Sequence, residues 1–344
     1  MKKKSKLKSI LSIVILITIA MLVLYTSLKD NYKEIINGLL SANKLWILVA
    51  ILFVFGYWFF KSIIFYNFTK KFDKRYTFRK AFKLQLVTNF FNAVTPFSSG
   101  GQPFQIYTLK KQGIDLTSST NIIIENFIVY QIALVTLGII SIICNRIFHM
   151  FDSVGILKNL VTVGFIVNTV VIIGLFIVAF AKKLNKKIVG FTISILHKLK
   201  VVKDKEKKLA DWNEYINNFH EGAKILIADK WFFIRSILCA VVALCCLYLV
   251  PVILLYSTGD YTSFNGAISI VACAYVMLIG SFVPIPGGTG GLEYGFLAFY
   301  GNYLTGSNLH VIMILWRFIT YYLGMIVGAV AVNIKEKEIW FICV

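Results

Sequence analysis

Six apolar runs of about twenty residues, separated by lysine-rich segments, restrict this chain to one class of fold. An α-helix needs about that length to cross the ~30 Å hydrocarbon core of a bilayer. The runs are Ile10–Leu28, Leu45–Phe68, Thr117–Cys144, Asn159–Ala181, Trp231–Tyr256 and Val311–Val332. Hydrophobic residues make up 58% of the 344, above the ~45–50% of soluble domains. The expected fold is therefore all-α and polytopic in a membrane.

The formal net charge of +20 would suit a nucleic-acid partner, but its distribution argues against one. Of 36 Lys and Arg, 28 fall in segments that a cytoplasmic N-terminus places inside, and 5 fall outside. The other 3 (Lys61, Arg235, Arg317) lie within spans. This is the positive-inside pattern of a membrane protein with both termini in the cytoplasm. The leading MKKKSKLKS resembles a signal peptide. Its apolar run is too long for one and lacks a small-x-small cleavage site, so it reads as a retained span. Lys61 and Arg235 sit toward inner helix ends, where snorkelling accounts for them. The six cysteines (Cys144, Cys239, Cys245, Cys246, Cys273, Cys343) show no metal or disulfide spacing and read as packing residues. No metal or cofactor is expected.

Two further apolar stretches, 84–111 and 264–303, are broken by proline and glycine. The first carries TPFSSGGQP (Thr95–Pro103) and the second SFVPIPGGTGGLEY (Ser281–Tyr294). Aligning Pro96 with Pro286 sets PFSSGG against PGGTGG. Such residues interrupt a helix. Irregular backbone survives at membrane depth only under protein cover or beside a wet cavity. The first stretch has basic flanks on both sides; the flanks of the second carry almost no Lys or Arg. Each therefore reads as a re-entrant helical hairpin, and the two enter from opposite faces. The chain then divides into halves 1–158 and 159–344 of inverted order. That is the plan of many secondary transporters, with the site at the midplane between the breaks. Two alternatives stay open: ordinary interhelical loops, or hairpin arms that themselves span, giving about eight helices.

Ionisable residues inside spans are functional candidates by default. Here they are Glu125, Glu293 and Arg317. Glu125 follows Gly101 by 24 residues and Arg317 follows Gly291 by 26, so they hold similar places in the two halves. The expectation is that all three share one polar cavity. Arg317 would hold a phosphate through its fork of donors. The acids would pair with Arg317 or with a cationic group on the substrate. Ser98, Ser99, Gln102 and Thr289, with Asn89, Asn92 and Thr95, either bind the ligand or satisfy backbone freed by the breaks. Helix N-termini at both breaks suit a phosphate. Pro96, Gly100, Gly101, Pro284, Pro286, Gly287, Gly288, Gly290 and Gly291 shape the hairpins. A Glu–Arg bridge that only fixes packing is the competing reading. Lys182–Lys230, with 12 lysines and 6 acids, carries Ile188, Phe191, Ile195 and Leu199, then Leu209, Trp212, Tyr215, Ile216 and Phe219. That spacing suits amphipathic helices on the inner leaflet; a solvated linker is the alternative.

Asn92–Ile114, Pro284–Glu293 and the WRFITYY helix (Trp316–Tyr322) resemble the flippase-like transmembrane region of lysylphosphatidylglycerol synthases, the membrane part of the multiple peptide resistance factor. The resemblance covers about Lys8 to Val332. It implies movement of a phospholipid such as lysylphosphatidylglycerol between leaflets, which protects bacteria from cationic peptides. It carries over Pro286, Gly287, Gly288, Gly290, Gly291, Glu293 and Arg317. In that family aminoacyl transfer belongs to a separate soluble domain. This chain stops at Val344, so it is not expected to be a lysyltransferase by itself. Two other readings remain: an enzyme acting on lipid, for which no nucleophile or donor-binding motif stands out, and a scaffold for a separate lipid-modifying synthase. The oligomeric state is left open.

Overall fold

A computed structural model describes residues 32–151, 155–199, 201–202, 204–281, 283 and 285–334. The expected first span (Ile10–Leu28), Pro284 and Cys343 lie outside the described residues. Within them the chain is helical, and five helices are long and apolar enough to cross a membrane. These correspond to the other five expected spans.

The helices run α1 (Tyr32–Ser41), α2 (Lys44–Lys70), α3 (Phe78–Ala93), α4 (Gly101–Lys111), α5 (Leu116–Phe148), α6 (Gly155–Phe180), α7 (Lys182–Lys198) and α8 (Lys205–Ile227). They continue as α9 (Lys230–Tyr248), α10 (Val250–Ser257), α11 (Gly266–Gly280), α12 (Gly291–Tyr300), α13 (Gly306–Arg317) and α14 (Leu323–Asn333). Side chains of Asn43, Asp115, Asp229 and Asn265 accept hydrogen bonds from the first turns of α2, α5, α9 and α11. Each satisfies an amide that the helix leaves unpaired. Pro251 stands at the junction of α9 and α10, where it removes a helical donor.

Lys29–Lys44, between the first two apolar runs, has the mixed charge of a short outside loop. Residues 32–41 instead form α1, which packs on α13 with Gly38 against Val311. Burying Ile35 supports a helix too short to stand alone.

Helices α2 and α9 pack along each other. The Asn43 amide donates to the Ser257 carbonyl at one end, and Lys71 pairs with Asp229 at 3.8 Å at the other. The two are therefore antiparallel. The Lys71 end is basic, with Lys70, Lys71, Lys74, Arg75 and Arg79. Helix α3 starts at that end, where Phe78 meets Phe59 and Tyr66. Helix α11 starts at the other, where Ser269 donates to the Tyr248 carbonyl. The α3–α4 and α11–α12 hairpins thus enter from opposite ends.

The elements exchange partners reciprocally. Helix α5, which follows the first hairpin, packs on α11 of the second. Helix α14, which follows the second, packs on α3 of the first. Gly328 lets α14 close on α3: a Cβ there would lie 2.5 Å from the Leu86 carbonyl oxygen.

Helices α7 and α8 pair with each other, and α8 lies on α5. Tyr215 donates to Thr120 at 3.1 Å. Ile216 and Phe219 are buried in the fold, whereas Ile188, Phe191, Ile195 and Leu199 are exposed. The outward apolar face belongs mainly to α7, with Trp212 of α8 also exposed.

Candidate functional site at the paired helix breaks

The two hairpin tips touch, and their backbones share one pattern. Thr95 and Ile285 are extended, each preceding a proline, as the ring demands. The next two residues are left-handed in both tips. Phe97 and Ser98 have φ of 54° and 51°; Gly287 and Gly288 have 65° and 61°. The Ser99 amide donates to Pro96 and the Thr289 amide to Pro286. Their hydroxyls donate to the same two carbonyls, at 2.9 and 3.0 Å. New helices then begin at Gly101 and Gly291. The tips diverge at the preceding glycine, with φ −75° at Gly100 and 87° at Gly290.

In the first tip several polar groups satisfy freed backbone. Asn92 accepts from the Gly101 amide at 2.9 Å and Thr95 from the Gly100 amide at 2.8 Å. Asn89 accepts from Gln85. Asn89 Nδ2 and Gln102 Oε1 are buried without a partner among the described residues. Pro96, Phe97, Ser98 and Ser99 are exposed. The second tip is the reverse: Pro286, Gly287, Gly288 and Thr289 are buried.

Arg317 and Glu293 hold that buried tip. Arg317 Nε lies 2.7 Å from Glu293 Oε1, an ion pair without an aligned N–H···O bond. Its Nη2 donates to the Gly287 carbonyl at 3.1 Å and to Thr289 Oγ1 at 3.4 Å. Its guanidinium lies 4.6 Å from the Tyr321 ring centroid. Glu293, in the first turn of α12, accepts from the Gly290 amide at 2.7 Å through its other oxygen. An acid there also faces the positive end of the helix. Arg317 is thus held by a carboxylate, a carbonyl, a hydroxyl and an aromatic ring.

Tyr321 joins the two hairpins. It sits in the π-helical turn Phe318–Tyr322 between α13 and α14, and its hydroxyl donates to the Ala93 carbonyl at 2.9 Å. A π-turn shifts the register of the helix beyond it, a device common at functional sites. The sequence singles out this segment but gives Tyr321 no role, because nothing in WRFITYY marks a π-turn.

Glu125 stands apart from this cluster. It is 1% exposed in α5, and neither carboxylate oxygen has a partner among the described residues. One turn earlier, both polar atoms of Asn121 are likewise unpartnered, beneath α8 at Gly222. No ion pair links Glu125 to Arg317 among the described residues. A cavity of about 300 Å³ lies at the Lys/Arg-poor end, lined in part by Asn145, Arg146, Tyr275 and Phe299, and does not include the tips.

Lys61 corrects the snorkelling expectation. Its ammonium lies over the rings of Tyr57 and Tyr130, 5.2 and 5.1 Å from their centroids. Tyr57 is one turn farther from the basic end, so the side chain points inward, as helix geometry favours. Arg235, by contrast, is exposed beside Trp231 near the start of α9.

The lysylphosphatidylglycerol synthase transmembrane-region family matches residues 9–328. A UPF0104 membrane protein of Archaeoglobus fulgidus is 22% identical over 303 residues, 86% of this chain and 89% of that protein. The apolar spans and this match together make the molecule a multi-pass membrane protein. It belongs to the lysylphosphatidylglycerol synthase transmembrane-region family.

Proposed function

We propose that this protein is a lipid flippase. It moves a phospholipid, lysylphosphatidylglycerol or a related anionic or aminoacylated lipid, between leaflets of the bacterial cytoplasmic membrane. The observation that carries the reading is the meeting of two broken helices from opposite ends, with one backbone pattern repeated at both tips. Paired discontinuous helices between inverted halves are where secondary transporters bind substrate. We read 1–158 and 159–344 as those halves and the basic end as cytoplasmic, in line with the charge bias.

In this reading the tips divide the work. Glu293 and Arg317 hold the second tip in shape. The exposed Ser98 and Ser99, with the unpaired groups of Gln102 and Asn89, offer donors and acceptors to a passing headgroup. Glu125 is a separate polar station on the basic side. Transport, not aminoacyl transfer, is the activity of these residues; a separate synthase would supply an aminoacylated lipid.

Leaflet exchange in proteoliposomes tests this. The purified protein is given labelled phosphatidylglycerol, lysylphosphatidylglycerol, a glycolipid and a polyprenyl phosphate, and outer-leaflet quenching reports movement. Movement of one lipid, lost in Ser98→Ala/Gln102→Ala, is the expected result. No movement of any lipid by a folded protein overturns the reading and favours a scaffold for a synthase.

A further inference from the structure

Arg317, the cation expected to hold a phosphate, is occupied by Glu293, Gly287, Thr289 and Tyr321. Of the two other cations within spans, neither has a carboxylate among the described residues; Arg235 is exposed near the start of α9, and Lys61 is the one turned toward the membrane interior. It lines a small, partly open space with Tyr57, Ile64, Asn126, Tyr130, Ala240 and Ala243, between α2, α5 and α9, and Tyr57, Asn126 and Tyr130 are themselves only partly buried. The space lies deep. Tyr57 is the central residue of α2, Tyr130 is two residues from the centre of α5, and Ala243 stands at the middle of Lys230–Ser257. Its free volume is about 10 Å³, room for one water-sized atom.

A lysine at this depth is costly and persists where it serves a polar ligand or pathway. Aromatic faces attract the ammonium, but they accept none of its three hydrogen bonds in the linear way an oxyanion does. Asn126 adds an amide donor on the same wall. The alanines of α9 leave the space that larger side chains would fill.

We propose that Lys61 and Asn126, walled by Tyr57 and Tyr130, form an anion site that takes one phosphate oxygen of an anionic lipid headgroup midway through the membrane. Its place in a transport cycle rests on the flippase reading; the binding itself does not. The site discriminates by charge. A phosphatidylglycerol phosphate meets Lys61 unopposed, whereas the phosphate of phosphatidylcholine, like that of an aminoacylated phosphatidylglycerol, brings its own cation into an apolar neighbourhood, so within the proposed range of substrates the site selects the anionic lipid.

The test is lipid retention by the purified full-length protein in detergent, read by native mass spectrometry after incubation with equal phosphatidylglycerol and phosphatidylcholine. The wild type is expected to keep phosphatidylglycerol preferentially. Lys61→Gln is expected to lose that preference by roughly tenfold, the scale of one charge-assisted contact, while Lys61→Arg keeps most of it. Ala243→Val, which fills the space without touching the charge, is expected to lose it too and keeps the test valid if Lys61→Gln misfolds. Excess inorganic phosphate provides a further arm. Displacement supports an anion site open to free phosphate; retention, with the Lys61→Gln loss intact, supports one reserved for lipid-borne phosphate. Equal retention by wild type, Lys61→Gln and Ala243→Val, all monodisperse, overturns the proposal. Retention without leaflet exchange would leave the site standing and remove the transport reading.

Discussion

Arg317 and Glu293 meet at 2.7 Å while each also binds backbone of the break between them, the Gly287 carbonyl and the Gly290 amide. The pair is therefore a brace across four residues of irregular chain. Removing one partner strands a buried charge, at a cost of about 3–5 kcal/mol. Glu293→Gln and Arg317→Gln should each destabilise on that scale. The double variant should cost clearly less than the sum, because it leaves no charge unpaired. Equilibrium unfolding in mixed micelles measures this. Additive losses would mean the two side chains act independently.

The left-handed positions make opposite predictions in the two tips. Gly287 has φ 65°, and a Cβ there would fall 2.2 Å from the Tyr321 ring. Gly287→Ala should cost about 2 kcal/mol or more, from backbone strain plus displacement of the ring. Phe97 occupies the equivalent place at φ 54° with a side chain 59% exposed. Phe97→Gly removes the strain and little packing. It should be neutral or stabilise by up to about 1 kcal/mol in the same unfolding assay. A large loss on Phe97→Gly would show that the exposed ring is held by something outside the chain, such as lipid.

The breaks were legible because proline and glycine announce irregular backbone directly, and the Pro96–Pro286 alignment needs only six residues. The spans were legible from length and composition. Side-chain direction was not. Sequence places Lys61 nine residues from the end of α2 and cannot say which way it points; packing between Tyr57 and Tyr130 decides that. Tyr321 was hidden for another reason. Its reach to Ala93 depends on a π-turn that arises from tertiary fit. Glu125 is legible as an intramembrane acid, but its similar spacing from the first break does not make it an ion-pair partner of Arg317.

Helix α7 carries Leu184, Ile188, Phe191 and Ile195 exposed along one stripe, which Leu199 continues at its C-cap, with Lys183, Lys187 and Lys198 beside it. It follows α6 after a single residue, so it starts at the membrane boundary. A solvent-facing stripe of this kind belongs in the headgroup layer. A spin label at Phe191→Cys in liposomes should relax faster with oxygen, which partitions into lipid, than with a water-soluble nickel chelate. The reverse order would place α7 in water. Replacing one lysine of the three should weaken its anchoring to anionic vesicles by about 1 kcal/mol.

The reciprocal packing of the hairpins predicts unequal tolerance at two glycines in similar roles. Gly328 on α14 faces α3, and a Cβ would strike the Leu86 carbonyl at 2.5 Å and the Phe90 amide at 2.9 Å. Both are helix backbone and cannot turn aside. Gly138 on α5 faces α11, and a Cβ would meet Leu278 Cδ1 at 3.3 Å, the end of a flexible side chain. Gly328→Ala must therefore push α14 away from α3, costing about 1–3 kcal/mol by overpacking and loosening the contact that seats Tyr321 on Ala93. Gly138→Ala asks only for a small rotamer adjustment and should lie within about 0.5 kcal/mol of the wild type. Thermal midpoints of the two variants in one detergent compare them directly. Equal loss at both would mean that the α5–α11 seam is as rigid as the α14–α3 seam. A silent Gly328→Ala would mean that α14 does not close on the first hairpin, and the tip-to-tip arrangement would lose its support on that side.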